Sequence, residues 1–357
     1  MKKENRLTYI VEPLLTWYKK NQKRLPWRTD VTPYHVWISE SMLQQTRTAA
    51  VIPYYERFLK ELPTISALAA VSDDRLLKLW EGLGYYSRAR NLKRSAEMLM
   101  AFYAGVLPDT VEELKKLPGI GEYTAGAIAS IAFGKPEPAV DGNVLRVVMR
   151  FLGCTDDIAL PATKKQVTEA LRDIYPFGED AGNLTQAIME LGENICIPNG
   201  LPKCESCPLF RQCEAGRSAR AEDFPVKSPK KARKQEERTV FLLSCRGYYA
   251  IQKRPDKGLL AGLWEFPNVP GALTPEEAAD YIRTLGMEIL SCEACGRAVH
   301  AFTHIEWHMT GYLAECITPS ESFIWETAQT IRTQYAIPTA LRAYLKKMER
   351  DAEEKGN

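Results

Sequence analysis

The sequence predicts two domains of different class, an all-α domain over residues 1–225 and an α+β domain over residues 238–357. Three observations carry this. Apolar residues recur at helical spacing through the first part, short alternating runs replace them in the last part, and a basic stretch nearly devoid of apolar residues separates the two. A chain of 357 residues is also too long for one ordinary core. With 45% hydrophobic and 26% charged residues, it falls outside the disordered, collagenous and low-complexity classes.

In chain order, helical spacing marks residues 76–80, 89–102, 111–117, 124–133, 144–152, 167–174 and 184–195. Pro108, Pro118-Gly119 and Pro176-Phe177-Gly178 punctuate the connections. Residues 226–237 read as an exposed linker carrying Lys227, Lys230, Lys231, Arg233 and Lys234 beside Ser228 and Pro229. Such a stretch is either simply solvated or laid along a polyanion. Beyond it, residues 239–244, 248–253 and 306–314 read as strands, and 275–285 and 338–348 as helices with Pro near their starts.

The apolar runs fall short of the roughly 18–20 residues a membrane span needs. Residues 1–8 are polar and charged, with no signal-peptide core behind them. The expectation is a soluble intracellular protein. A net charge of +2 neither demands nor forbids a nucleic-acid partner, because local patches set the field.

Four of the nine cysteines crowd together: Cys196, then Cys204 after seven residues, Cys207 after two and Cys213 after five. Soft thiolates at close spacing in a long intracellular chain suit zinc or an iron–sulfur cluster. Cys292 and Cys295 form a lone C-x-x-C, with His300 and His304 nearby, which is weak evidence for a metal.

Leu117-Pro118-Gly119-Ile120-Gly121 joins two helical segments. It reads as a tight helix–helix turn or as a turn whose glycines bring backbone amides to a phosphate. Glu40 is the one formally charged side chain between Asp30 and Arg47, amid Val36, Trp37, Ile38, Met42 and Leu43. Unless paired with Arg28 or Arg47, a carboxyl buried there stays protonated near neutral pH, the state a general acid requires. Asp141 precedes Gly142-Asn143 and an apolar helix, so it reads as an N-cap whose amide donors favour the anion. Together, one neutral and one ionised carboxyl make the acid and stabiliser combination of glycoside cleavage.

The spacing of the cysteine loop resembles the [4Fe–4S] loop of the endonuclease III superfamily, whose first gap is usually six residues rather than seven. Residues 111–133 resemble that superfamily's helix-hairpin-helix. The strings Trp37-Ile38-Ser39-Glu40-Ser41-Met42-Leu43-Gln44-Gln45-Thr46, Gly82-Leu83-Gly84-Tyr85-Tyr86-Ser87-Arg88-Ala89-Arg90-Asn91 and Val140-Asp141-Gly142-Asn143-Val144 resemble the MutY family of adenine DNA glycosylases. Gly262-Leu263-Trp264-Glu265-Phe266-Pro267 resembles a Nudix fold, but the glutamate-rich catalytic box of that fold is absent.

By this resemblance, Glu40, Asp141, Tyr123 and Asn143 would be catalytic: Glu40 the acid protonating adenine, Asp141 the stabiliser of the cationic sugar. Tyr123 stands where bifunctional relatives carry lysine, which implies that the strand is not cut. Cys196, Cys204, Cys207 and Cys213 would hold the cluster. Gln45, Thr46, Leu83, Tyr85, Gly119 and Gly121 would meet DNA, and Leu25, Trp27 and Arg28 would wall the adenine pocket. Phe302-Thr303-His304 would read 8-oxoguanine, with Thr303 where the family has serine. As plain sequence, residues 300–308 also read as one solvated strand face on which His300, His304 and His308 alternate with Phe302 and Glu306. The implied substrate is double-stranded DNA with adenine opposite 8-oxoguanine or guanine, bound by a monomer in the cytoplasm or nucleoid. The alternatives are a related thymine or uracil mismatch glycosylase and a non-catalytic mismatch-binding protein.

Overall fold

Helices fill the chain up to Arg217, and the seven strands of the described residues begin at Lys234. The structure, a computed structural model, describes residues 5–229 and 232–356. Lys230 and Lys231 of the expected linker, and residues 1–4 of the polar N-terminus, lie outside the described residues. Two compact units result: one of Met1–Ala70 with Asn91–Pro229, the other of Val71–Arg90 with Lys230–Asn357. The sequence expectation had divided the chain once, near residue 226. Here Val71–Arg90, an excursion of the helical part, joins the second unit.

In the first unit, the helix Pro33–Leu43 buries Tyr34 and every residue from Val36 through Met42, as its nearly unbroken apolar run requires. It packs on the helix Glu122–Phe133, which in turn packs on Glu179–Asn194. Small residues make this close stacking possible: a Cβ at Gly126 would lie 2.4 Å from the carbonyl oxygen of Pro138. The segment leading to Asp141 crosses the helix at that point. Gly142–Leu152 follows, capped by Asp141, with Val144, Leu145, Val147, Val148 and Phe151 in the core.

In the second unit, a mixed sheet runs in the order β3-β2-β1-β6-β5, with β4 against β1 and β7 against β2. The strands are β1 (Lys234–Cys245), β2 (Tyr248–Lys253), β3 (Trp264–Glu265), β4 (Asn268–Pro270), β5 (Ile289–Ala301), β6 (Ile305–Cys316) and β7 (Ile324–Thr327). β1 and β6 are parallel, and the remaining pairs are antiparallel. Val240 and Leu242 face the helices Ala328–Gln334 and Arg342–Glu354, while Phe241 and Leu243 face the helix Pro275–Thr284. The central sheet is thus covered on both sides.

Three expectations differ from the structure. β1 begins at Lys234, inside the stretch expected to be linker, because its first residues pair in parallel with Ile305–His308 of β6. β5 was not expected. It is an edge strand with a mostly exposed pattern, so no alternating apolar run marks it. Cys295 sits at a bulge in β5, between Ala294 and Gly296, and it and Cys292 pack into cores on opposite faces of the sheet, so they do not converge. No helix among the described residues is long and apolar enough to cross a membrane.

Candidate active site

A cleft of about 730 Å³ opens in the first unit, and Glu40, Tyr123, Asp141 and Asn143 line it. Glu40, from the buried helix Pro33–Leu43, is 5% exposed. The Tyr123 hydroxyl, from the first turn of the next helix, donates to Glu40 Oε2 at 2.7 Å. Burial pushes the Glu40 carboxyl up to about 7, the Tyr123 hydrogen bond pulls it down, Asp141's charge raises it and Arg28's lowers it. The chain therefore carries a carboxylic acid poised to give up a proton near neutrality.

Asp141 caps the helix Gly142–Leu152. Its Oδ1 accepts the Val144 N–H at 2.8 Å, and its Oδ2 accepts the Asn143 side-chain amide at 2.9 Å. The expectation that capping alone would hold this carboxyl low is corrected by the structure. Burial raises it above its ordinary value, opposed by the Val144 and Asn143 hydrogen bonds and by Arg146. Asp141 accepts from more donors than Glu40, and those hydrogen bonds favour its anion against the burial that raises it. Asn143 is itself held, since its Oδ1 accepts from Arg146 Nη2 at 2.9 Å. Arg146 also donates to the carbonyls of Gly192 and Cys196, both at 2.7 Å.

Leu25, Trp27 and Arg28 stand along the same cleft. Arg28 Nη1 is paired with Glu190 and donates to the Lys23 carbonyl at 3.1 Å. Glu190 was missed in the sequence, although it carries the signal that marked Glu40, a lone acid within an apolar helical stretch. Its Oε2 and Arg28 Nε are buried without a hydrogen-bond partner among the described residues.

Gln45 and Thr46 also line the cleft, with Gln45 exposed and in the left-handed region at φ 59°. Gly119 and Gly121 lie between the helices Val111–Leu114 and Glu122–Phe133. Gly119 has φ 79°, and a Cβ there would come 2.7 Å from Asn91 Cβ, so only glycine fits. Gly121 caps the second helix with nothing within 4 Å of where its Cβ would stand.

The four clustered cysteines surround one small apolar pocket with Ile195, Phe210 and Ala221. Arg150 Nη1 lies 3.4 Å from Cys196 Sγ, and the Gly216 N–H donates to Cys213 Sγ at 3.4 Å. Burial pushes the Cys207 thiol up to about 12, so its thiolate needs strong positive charge beside it. Soft sulfur donors, an apolar wall, N–H donors to sulfur and a nearby guanidinium fit an iron–sulfur group.

The remaining expected residues belong to the second unit. Leu83 is buried, whereas Tyr85 is 46% exposed and left-handed at φ 47°. Phe302, Thr303 and His304 form the turn between β5 and β6 rather than a continuous strand face, with the Phe302 N–H donating to the Ile305 carbonyl at 2.8 Å. Phe302 packs edge-on against Trp307, with ring centroids 5.0 Å apart. Tyr85 Oη and Thr303 Oγ1 are 3.5 Å apart. In the helix Pro275–Thr284, Glu277 is occupied in a capping box with Thr274.

Two carboxyls, Glu40 and Asp141, facing one cleft beside a helix-hairpin-helix and a four-cysteine loop define a base-excision glycosylase. Residues 38–177 match the HhH-GPD superfamily of base excision DNA repair proteins, and residues 239–347 match the NUDIX domain. The chain belongs to the adenine DNA glycosylase family. It is 34% identical over 325 residues to the adenine DNA glycosylase of Buchnera aphidicola (Acyrthosiphon pisum), covering 89% of this chain and 91% of that one. To the Homo sapiens adenine DNA glycosylase it is 33% identical over 395 residues, covering 92% and 72%. Among solved structures, it is similar to a thermostable thymine-DNA glycosylase, with a TM-score of 0.54 and 26% identity over 60% of this chain and 98% of that one. It is also similar to endonuclease III in a trapped covalent intermediate with DNA, with a TM-score of 0.52 and 28% identity over 61% and 99%.

Proposed function

We propose that the chain excises adenine mispaired with 8-oxoguanine or guanine in duplex DNA, hydrolysing the N-glycosidic bond and leaving the strand intact. The observation that carries this is the Glu40–Tyr123–Asp141 constellation in one cleft, with Leu25, Trp27 and Arg28 along its wall. The target nucleotide leaves the duplex stack at a cost of a few kcal/mol, less for a mispair than for a normal pair.

Once adenine is in the cleft, Glu40 gives its proton to the base, so the C1′–N bond breaks toward a neutral leaving group. Asp141 faces the positive charge growing on the sugar and stabilises it, as an ion or as a transient ester. Asn143, anchored by Arg146, fixes the Asp141 carboxylate. Water supplies the hydroxyl that completes the abasic sugar, and its remaining proton returns to the Glu40 carboxylate. Tyr123 holds Glu40, and its phenol forms no Schiff base with the sugar, which supports hydrolysis without strand cleavage.

Cys196, Cys204, Cys207 and Cys213 would hold a [4Fe–4S] cluster, which ties residues 196–213 together. Gln45, Thr46, Gly119, Gly121, Leu83 and Tyr85 meet the DNA, and Phe302, Thr303 and His304 read the base opposite adenine. In this reading the protein acts as a monomer in the nucleoid of the cytoplasm. Base release from duplexes with adenine opposite 8-oxoguanine or guanine, and with thymine or uracil opposite guanine, tests the reading. Free adenine from the first two and no thymine or uracil from the others is expected. Thymine or uracil release identifies the related mismatch glycosylase, and binding without any release identifies a mismatch-binding protein.

A further inference from the structure

The segment after the cysteine loop is strapped onto the cleft wall. Phe224 is buried against Ala215 and Ala221, and its carbonyl accepts from Arg150 Nε at 2.9 Å. Two residues on, the Val226 carbonyl accepts the Ile158 N–H at 3.1 Å. Two further on, the Ser228 N–H meets both Asp157 carboxylate oxygens at 3.3 Å, and the Ser228 hydroxyl bonds to the same group. The even-numbered residues are thus the anchors, while the odd-numbered Pro225 and Lys227 line the cleft.

Lys227 differs from most cations around it. Lys23 is paired with Glu193 at 2.7 Å, Arg28 with Glu190, and Arg146 is bonded to carbonyls and Asn143. Lys227 and Arg47 are exposed at the cleft and form no ion pair among the described residues. Asp157 feels the charge of Lys227, but its oxygens are taken by Ser228 and the Ala159 N–H. An extruded nucleotide carries its two flanking phosphodiesters to the rim of the pocket that receives it. A cation held there without a protein partner complements them.

We propose that Lys227 contacts the DNA backbone beside the extruded nucleotide and that the Phe224–Ser228 strap is the device that positions it. This rests on the proposed function. The experiment uses the full-length protein in a Glu40→Gln background, so that the duplex persists. Fluorescence anisotropy reads binding to a fluorescein-labelled duplex bearing adenine opposite 8-oxoguanine across a series of KCl concentrations. Losing one phosphate contact lowers the slope of log K against log salt by about 0.9, which corresponds to roughly 5–10-fold weaker binding at 0.1 M salt. Lys227→Gln is expected to show both effects, and Lys227→Arg to restore them.

Asp157→Ala with Ser228→Ala frees the strap and is expected to lower the slope as Lys227→Gln does, with the far-ultraviolet circular dichroism unchanged. An unchanged slope in Lys227→Gln overturns the phosphate contact. A slope lost in Lys227→Gln but kept in the double variant overturns the strap as its positioning device. Failure of the parent chain to release adenine sinks the proposed function instead, and the salt slope on the duplex still reads Lys227.

Discussion

Glu40 is 5% exposed and bonded to Tyr123 at 2.7 Å, whereas Thr303 stands exposed at a hairpin turn, 3.5 Å from Tyr85 Oη. The two regions are organised differently around the ligand each awaits. In the cleft, burial sets the proton affinity of Glu40 before any substrate arrives, and neighbouring helices hold the group in place. At the β5–β6 turn, a hydroxyl and a phenol stand in the open, and under the proposed function their discrimination between opposing bases rests on hydrogen bonds that a bound base completes. Chemistry needs a prepared environment, because charge develops within one bond-breaking step. Reading an opposing base needs donors and acceptors that DNA can reach.

The largest effect should come from removing the prepared acid. Glu40→Gln keeps the shape but has no acidic proton, so single-turnover adenine excision should fall by roughly 10²–10⁴-fold while duplex binding persists. Asp141→Asn should follow with a loss of about 10²–10³-fold, because the charge facing the sugar is gone. Adenine released at the parent rate by either variant would break the contrast between a prepared cleft and an open turn.

pH sharpens the same contrast. Glu40 must be protonated to act, so excision should decline as pH rises through about 7. The Tyr123 hydroxyl lowers the proton affinity of Glu40, so Tyr123→Phe should move that decline to higher pH in single-turnover profiles. The linkage to stability has a definite sign. The folded-state value is raised from 4.5 to about 7, so the contribution is full below pH 4.5 and is lost as pH climbs through 7. Thermal midpoints of the parent measured against Glu40→Gln across that window should converge at low pH and separate at high pH.

The smallest effect belongs to the turn. Replacing Phe302, Thr303 and His304 with Ala should leave adenine release intact but reduce the preference for 8-oxoguanine over guanine opposite. The expected loss is about 1–3 kcal/mol of discrimination for a hydrogen bond left unmade. The ratio of excision efficiencies at fixed salt measures it. An unchanged ratio would move lesion reading into the cleft unit.

Several features were legible in the chain because their causes are local. Apolar groups around Glu40 implied a buried helix, and the helix Pro33–Leu43 buries Tyr34 and all of Val36 through Met42. The order Asp141-Gly142-Asn143 before apolar residues announced an N-cap, and Asp141 caps the helix with its carboxylate. Glu190 offered the same signal as Glu40 but sits in a longer, mixed helix, where a lone acid draws less notice. β5 escaped because an edge strand exposed along most of its length has no reason to alternate.

By itself, then, the sequence determined the two classes of domain, the helix periodicities, the caps and the clustering of four cysteines, since each depends on neighbours a few residues apart. Tertiary structure decided what depends on distance. It put Val71–Arg90 into the second unit and set Tyr85 beside Thr303, 218 residues away. It raised the Asp141 carboxyl despite its cap, because desolvation comes from whatever packs over a group rather than from its chain neighbours. It also placed Cys292 and Cys295 in a strand, where side chains three apart enter opposite faces of the sheet.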